Sequence, residues 1–282
     1  MTYPTITHTR TEADAVAEAA RLAAEPRTLE ALKVHALPTT TGIHIVDLDT
    51  DAHRKREGVP PMRKTGTVAL SEHGSFAAYV SAHALDAVTT LWADRDHGRV
   101  IAVLNDHEAS PDGEAGWGDH RATLTLRETP SWQAWCGASG KLTPQAAFAE
   151  FLEDHAGDVV DPDHARLLEV ASSIEATKDV AHKSAVRLDN GEVKVRYEET
   201  IEARAGQAGD LTIPTRIELA LSPYEGMDPY RVTARFRYRL RDGAMSLGVV
   251  LDRPEDVLRA AFADVLDAIE AETGIKPLHG NP

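Results

Sequence analysis

Arginine alternates with apolar residues along a short segment in the last quarter of the chain. The even-numbered positions of this segment hold Val232, Ala234, Phe236, Tyr238 and Leu240. Because side chains alternate between the two faces of a β-strand, the spacing predicts a strand with one cationic and one apolar face. Guanidinium groups bind carboxylates and phosphates through paired hydrogen bonds. We term these side chains the arginine row, which comprises Arg231, Arg235, Arg237, Arg239 and Arg241.

Three further basic residues are predicted to extend this cationic surface. They lie at polar positions of neighbouring predicted strands and are Lys194, Arg196 and Arg216. Two interpretations involve protein carboxylates. In the first, the row is a solvated sheet face that pairs with glutamates of the same chain, namely Glu192, Glu198, Glu202 and Glu218. In the second, the row binds an acidic protein surface, including a second copy of this chain.

A third interpretation is that the row binds the phosphate backbone of a nucleic acid. The expected strand alternation places Phe236 and Tyr238 on the face opposite the arginines, so no platform for base stacking accompanies the charge. The chain also carries a net charge of −15. Most of its surface therefore repels nucleic acid, and any contact with it must be local.

A polar, glycine-rich loop between residues 105 and 120 holds two histidines and several carboxylates. If the strands on either side of it pair as a hairpin, four side chains come near one another: Asp106, His107, Asp119 and His120. Imidazole and carboxylate groups can hold a divalent metal, and an open coordination position would permit hydrolysis. The spacing matches no metalloenzyme signature, and such loops are common turn chemistry.

Other chemical motifs are incomplete. The segment from Gly137 to Thr143 resembles a phosphate-binding loop, but Trp135 occupies the position of the first glycine and Leu142 that of the hydroxyl residue. The single cysteine, Cys136, is expected to pack as a small apolar residue rather than act as a nucleophile. We therefore predict no cofactor and no catalytic residues.

Composition indicates a soluble globular protein. The chain has 282 residues, of which 42% are hydrophobic and 27% are charged. No apolar run approaches the ~18 residues of a membrane span, the N-terminus lacks a secretory signal pattern, and one cysteine allows no internal disulfide. A cytoplasmic location without a membrane partner is the default expectation. Acidic residues concentrate between residues 143 and 179, which hold nine acids and two bases.

The predicted elements favour an α+β fold, because strands and helices occur in blocks rather than in βαβ alternation. An antiparallel meander is expected from strands at 213–221, 230–241 and 245–251, preceded by a hairpin that turns at Asn190-Gly191. Amphipathic helices are expected to pack this meander, at 144–154, after Pro162, and from Pro254 to the stop at Gly274.

The N-terminal part is predicted to form a smaller α+β region. It contains a helix capped by Thr11, two short strands at 32–37 and 43–48, a loop from 51 to 66, a helix around Phe76, and strands at 100–104 and 122–126. A division of the chain is expected near residues 128–142, which gives regions 1–128 and 129–282. The two regions can equally form one continuous domain.

The order of several short motifs resembles that of the YfdQ-like proteins of prophages and bacteriophages. The motifs are Asn105-Asp-His107, Trp132-Gln-Ala-Trp135, the helix at 145–154, the Asn190-Gly191 turn and Ala234-Arg-Phe-Arg-Tyr-Arg239. The resemblance spans roughly residues 70 to 270 and implies a phage origin and a cytoplasmic role during infection or lysogeny. It transfers no catalytic residues. A ring or shell assembly is compatible with it.

From the sequence we therefore expect a non-enzymatic phage accessory protein that self-associates and binds through the arginine row. Its expected partners are other copies of itself, an acidic protein surface or a nucleic acid. One alternative is a nucleic-acid-binding protein of phage recombination or replication. A second alternative is a metal-dependent hydrolase that uses the 105–120 loop.

Overall fold

A computed structural model describes residues 11–24, 29–39, 42–85, 87–187, 193–205, 211–241 and 243–282. Of residues 22–24, 38–39, 175–187 and 193–204 it describes the backbone alone. The chain forms two compact units, Met1–Lys64 and Thr65–Pro282. The division expected near residues 128–142 lies inside the second unit.

Seven α-helices and fourteen strands occur in the part of the chain that the structure describes. The helices are α1 (Glu12–Ala24), α2 (Asp51–Arg56), α3 (His73–His83), α4 (Pro130–Ala138), α5 (Gln145–Asp154), α6 (His164–Ser173) and α7 (Pro254–Thr273). The strands are β1 (Val34–Thr39), β2 (Gly42–Asp47), β3 (Gly66–Leu70), β4 (Thr90–Asp94), β5 (Arg99–Val103), β6 (His120–Thr125), β7 (Thr143–Pro144), β8 (Val159–Asp161), β9 (Glu175–Arg187), β10 (Val193–Arg204), β11 (Arg216–Leu221), β12 (Tyr230–Arg241), β13 (Ala244–Leu251) and β14 (Leu278–His279). This mixture, with mainly antiparallel pairing, confirms the predicted α+β class.

The first unit contains α1, the antiparallel pair β1–β2, and α2. The cap expected at Thr11 is present, because its hydroxyl accepts a hydrogen bond from the amide of Asp14 at 3.2 Å. The prediction of a loop from 51 to 66 is wrong in its first part, where α2 forms. The side chain of Thr50 caps this helix, and its last turn is basic, which suits the helix dipole.

One sheet of the second unit has the strand order β14-β4-β5-β6-β3. Its inner pairs, β4–β5 and β5–β6, are antiparallel, and its outer pairs are parallel. Helices α3 and α7 share a core with this sheet through Phe76, Val80, Leu91, Leu124, Phe262 and Ile269. Gly274 ends α7 in the left-handed conformation, as the sequence predicts.

The other five-stranded sheet has the order β7-β13-β12-β11-β8 and is antiparallel throughout. Its central strands form the predicted meander. Helices α4, α5 and α6 cover one face of it and bury a core that includes Trp132, Trp135, Phe148, Leu167, Leu219, Phe236 and Val249. Trp132 and Trp135 are buried, whereas Trp117 is 76% exposed.

Strands β9 and β10 pair with each other in a separate antiparallel ribbon. Their antiparallel pairing agrees with the predicted hairpin, and among the described strands this ribbon does not pair with the sheet of β12. The Asn190-Gly191 turn lies outside the described residues. No helix in the described ranges is both long enough and apolar enough to cross a bilayer.

The Asp158 carboxylate holds α4 in place against the antiparallel five-stranded sheet. Asp158 accepts hydrogen bonds from the Ser131 hydroxyl and from the indole nitrogen of Trp135, the latter at 2.8 Å. The Trp135 side chain is fully buried. Removing the acceptor therefore leaves a buried donor without a partner.

We expect Asp158→Ala to lower the free energy of unfolding by about 1–3 kcal/mol, because the indole N–H loses its acceptor. Urea denaturation monitored by tryptophan fluorescence measures the change. The matched control is Asp154→Ala, which removes an exposed carboxylate of α5 and should change stability by less than about 0.5 kcal/mol. Equal effects from the two variants would contradict this role for Asp158.

Candidate anion-binding groove

Strand β12 presents the arginine row to solvent. Val232, Ala234 and Phe236 are buried in the core shared with α4, α5 and α6. All five arginines of the row are exposed, which confirms the alternation that the sequence predicts. The buried pattern ends near the C-terminal end of the strand, where Tyr238 is 41% exposed.

The N-terminal half of the row is partly neutralised within the chain. Arg235 Nε lies 3.0 Å from the Asp252 carboxylate, and both side chains are partly exposed. Arg216 of β11 lies directly opposite Arg235, so two like charges face each other across this strand pair. Exposed ion pairs of this kind contribute only about 0–1 kcal/mol.

Of the four glutamates in the first interpretation of the row, Glu218 alone has a described side chain. Glu218 lies opposite Thr233 and accepts its hydroxyl hydrogen bond at 2.9 Å. Glu198 and Glu202 lie on β10, in the separate ribbon, and their side chains are not described. Glu192 lies outside the described residues.

Arg237 and Arg239 differ from Arg235 in having no carboxylate partner among the residues that the structure describes. They are two positions apart on β12, which places their Cα atoms about 6–7 Å apart on one face. At that separation two like charges repel each other by about 0.6 kcal/mol even in water. Arg237 and Arg239 therefore hold positive charge that no described carboxylate pairs with.

A third cation reaches this place from the turn between α4 and β7. Gly248 of β13 lies directly opposite Arg237, so both positions share one face of the sheet. A Cβ atom on Gly248 would lie only 2.1 Å from the carbonyl oxygen of Lys141. The missing side chain at this position therefore allows the turn to lie against β13, beside the arginines.

Hydrogen bonds hold this turn against the strand. The Gly140 amide donates to the Val249 carbonyl at 2.8 Å, and the Ser139 hydroxyl accepts from the Leu251 amide at 3.1 Å. Gly140 has a φ of +80°, a conformation that favours glycine. These bonds fix the backbone on the N-terminal side of Lys141, and the pairing of Thr143 with Leu247 fixes it on the C-terminal side.

The result is an open groove of about 550 Å³. Three cationic residues line it, namely Lys141, Arg237 and Arg239, together with Tyr238 and Gly248. We term this feature the basic groove. Its volume lies within the range of small-molecule sites, about 300–1,000 Å³.

Two of the predicted basic residues lie elsewhere. Lys194 and Arg196 belong to β10, which pairs with β9 and not, within the described strands, with the sheet of β12. Their side chains lie outside the described residues. Arg231 and Arg216 are exposed on the arginine side of the sheet, and Arg241, also exposed, closes the row.

The predicted metal candidates do not form a cluster. Across the described ranges, no three side chains of the histidine, cysteine, aspartate or glutamate type come close enough to hold an ion. His107 Nδ1 instead accepts from the Gly116 amide at 3.0 Å, and Asp119 accepts from the Asn105 side chain at 2.9 Å. His120 is buried with its Nε2 3.3 Å from the Tyr79 hydroxyl, and the Asp106 carboxylate accepts from the amide of the next residue.

The single cysteine does not have the environment of a nucleophile. Burial raises the pKa of the Cys136 thiol, and the negative charge of Glu128 raises it further. A thiol with a raised pKa forms less of the reactive thiolate at neutral pH. This result agrees with the packing role predicted from the sequence.

Lys141 is the residue of the groove that sequence analysis did not assign. The segment around it fails as a phosphate-binding loop, and nothing local links it to β12. The available signal is Gly248, because a glycine inside a strand indicates a bulge or the close approach of another backbone.

We expect Gly248→Ala to displace the turn at Lys141, because the new methyl group would collide with a backbone carbonyl. The predicted cost is about 1–3 kcal/mol in the free energy of unfolding, with faster tryptic cleavage after Lys141. Urea denaturation and limited proteolysis with mass spectrometry measure both effects. Gly137→Ala in α4 is the control, since a Cβ atom there meets nothing within 4 Å. Unchanged cleavage in Gly248→Ala would refute the close contact.

Sequence comparison gives one family. The family model described as "Uncharacterized conserved protein (DUF2303)" matches residues 7–282. No curated protein and no solved structure matches the chain. The match includes the turn at Lys141 and all of the arginine row. Because it extends over nearly the whole sequence, the chain belongs to the DUF2303 family of conserved proteins.

Proposed function

We propose that this chain is a non-enzymatic accessory protein of a phage or prophage that acts in the cytoplasm by self-association. In this proposal the arginine row of one copy binds the acidic outer surface of α5 and α6 on the next copy. The observation that carries it is the placement of opposite charges on opposite sides of one sheet. The phage assignment rests on the resemblance of the motifs to YfdQ-like proteins.

The two charged surfaces point away from each other. Phe148 of α5 contacts Phe236 of β12, with ring centroids 5.9 Å apart, on the apolar side of the strand. The arginines lie on the other side of the same strand. A single copy therefore cannot bring its own arginine row onto the outer surface of its own α5.

The outer surface of these helices is rich in carboxylates. We term it the acidic face, which comprises the exposed residues Glu150, Glu153, Asp154, Asp163 and Glu169. A shallow groove of about 520 Å³ between α5 and α6 is lined by Ala146, Ala149, Glu150 and Glu153. Within the described residues Glu150 and Glu153 have no ion-pair partner. Small side chains beside free carboxylates leave room for an incoming guanidinium group.

Contact between two different patches is heterologous and continues from copy to copy. Such a contact closes into a ring if the rotation between neighbours closes, and otherwise produces an open filament. Single exposed charge pairs are weak, but a row of them acts together and determines register and orientation. Assembly through this contact should weaken as salt screens the charges.

We expect the protein to associate at about 0.05 M salt and to dissociate at about 0.5 M, because salt screens the electrostatic attraction between the arginine row and the acidic face. Size-exclusion chromatography with light scattering measures the mass. The double variants Arg237→Glu/Arg239→Glu and Glu150→Lys/Glu153→Lys should each be monomeric. Their equimolar mixture should associate again, because each reversed patch then meets a patch of opposite charge.

The matched control reverses exposed charges on α7, in Arg259→Glu, and should leave the mass unchanged. Two results would exclude this function. One is a 30.6 kDa species at every salt concentration. The other is a mixture of the reversed variants that stays monomeric although each variant is folded by circular dichroism.

Nucleic acid is a second candidate partner, favoured by the basic groove, whose cations have no carboxylate partner in the part of the chain that the structure describes. Binding to single- or double-stranded DNA should then fall steeply with salt and decrease when Arg237 and Arg239 are replaced by alanine. Electrophoretic mobility shifts at low salt measure it. The absence of a shift, or a shift that the alanine variant retains, removes this candidate.

A further inference from the structure

We infer that the basic groove is a binding site for a phosphorylated small molecule, held through its phosphate oxygens by Lys141, Arg237 and Arg239. This site shares Arg237 and Arg239 with the contact proposed between copies, and it differs in including Lys141, which is not part of the arginine row and lies on the turn after α4. The inference does not depend on self-association.

The groove concentrates positive charge. Three cationic residues line it, and none of them has a carboxylate partner among the described residues, although the chain carries an excess of fifteen negative charges. Bringing like charges together costs free energy, which a bound anion would offset.

Backbone contacts hold the groove in place. The backbone of Lys141 can lie against β13 because Gly248 has no side chain and because hydrogen bonds hold the preceding residues Ser139 and Gly140 on this strand. The Lys141 amide also donates to the Ala138 carbonyl at 3.1 Å. The sheet fixes the backbone of both arginines. Such preorganisation lowers the cost of ordering side chains around a ligand.

The chemistry of the three side chains favours phosphate oxygens. Guanidinium groups form paired hydrogen bonds with phosphate, and lysine adds a compact point charge. Of the two aromatic residues that line the groove, Phe236 packs its ring against Phe148 in the core, whereas Tyr238 is 41% exposed. The three cations are therefore expected to hold the phosphate groups, and Tyr238 is the one aromatic residue of the lining that an attached ring could contact.

A compact ligand suits this site better than a long polyanion. The groove has a volume of about 550 Å³, which accommodates a small phosphorylated molecule. A nucleic acid strand would have to continue across the surface of an acidic protein, where it is repelled. A small anion is exposed only to the local field of the three cations.

Isothermal titration calorimetry of the full-length protein with pyrophosphate, at low salt, tests the inference. We expect saturable binding that Lys141→Ala and Arg239→Gln each weaken about tenfold or more, since each loses a charged contact. Arg259→Gln is the control, because Arg259 is an exposed cation on another helix that is paired with Asp256, and it should bind as the parent does. Inorganic phosphate and sulfate should bind more weakly than pyrophosphate.

The outcomes are separable from those of the proposed function. Lys141→Ala should lose pyrophosphate binding while it keeps the salt-sensitive association measured by light scattering. The inference is overturned if no saturable binding occurs, or if Lys141→Ala and Arg239→Gln bind as well as Arg259→Gln does. Tighter binding of a single-stranded oligonucleotide that survives Lys141→Ala would also overturn it, in favour of nucleic acid.

Discussion

The core shared by α4, α5, α6 and the sheet of β12 depends on the burial of the apolar side of β12. Val232, Ala234 and Phe236 point into the layer formed by α4, α5 and α6. Because strand side chains alternate with a period of two, this burial sends every arginine of the row outward. A register slip of one residue would instead bury guanidinium groups without partners, at a cost far larger than any gain in packing. Hydrophobic packing therefore fixes the cationic surface.

The same packing determines where the negative charge lies. Helices α5 and α6 use their apolar sides, including Phe148 and Leu167, to cover the sheet, so their carboxylates can only face away from it. Along β12 the positive charge is also graded. Asp252 compensates Arg235, whereas Arg237 and Arg239 remain uncompensated within the described residues. Charge is thus separated between the two faces of this sheet. On the basic face, the positive charge is concentrated near the C-terminal end of β12.

Local patterns predicted the elements that depend on local physics. The alternation in β12, the cap at Thr11 and the stop at Gly274 each involve neighbours in sequence, and the structure contains all three. The short helix α2 was not predicted, because it buries no residue and depends on the Thr50 cap and on charge near its end. Periodicity cannot indicate a helix without an apolar side.

Contacts between residues distant in the sequence could not be predicted from local patterns. The β9–β10 hairpin has a clear local signal, but its choice of sheet depends on tertiary packing, so the place of Lys194 and Arg196 in a separate ribbon was not predicted. Lys141 joins Arg237 only through the meeting of a turn with Gly248, which is distant in sequence. A single glycine in a strand indicates that another backbone segment lies close to it, but it does not identify that segment.

The separation of charge across the second five-stranded sheet has a kinetic consequence. Cations on one side and carboxylates on the other give this layer a dipole moment roughly perpendicular to its strands. In the proposed self-association, two copies that diffuse toward each other would experience a torque that turns unlike sides together. This torque would favour head-to-tail over head-to-head encounters while the pair is still separated by solvent.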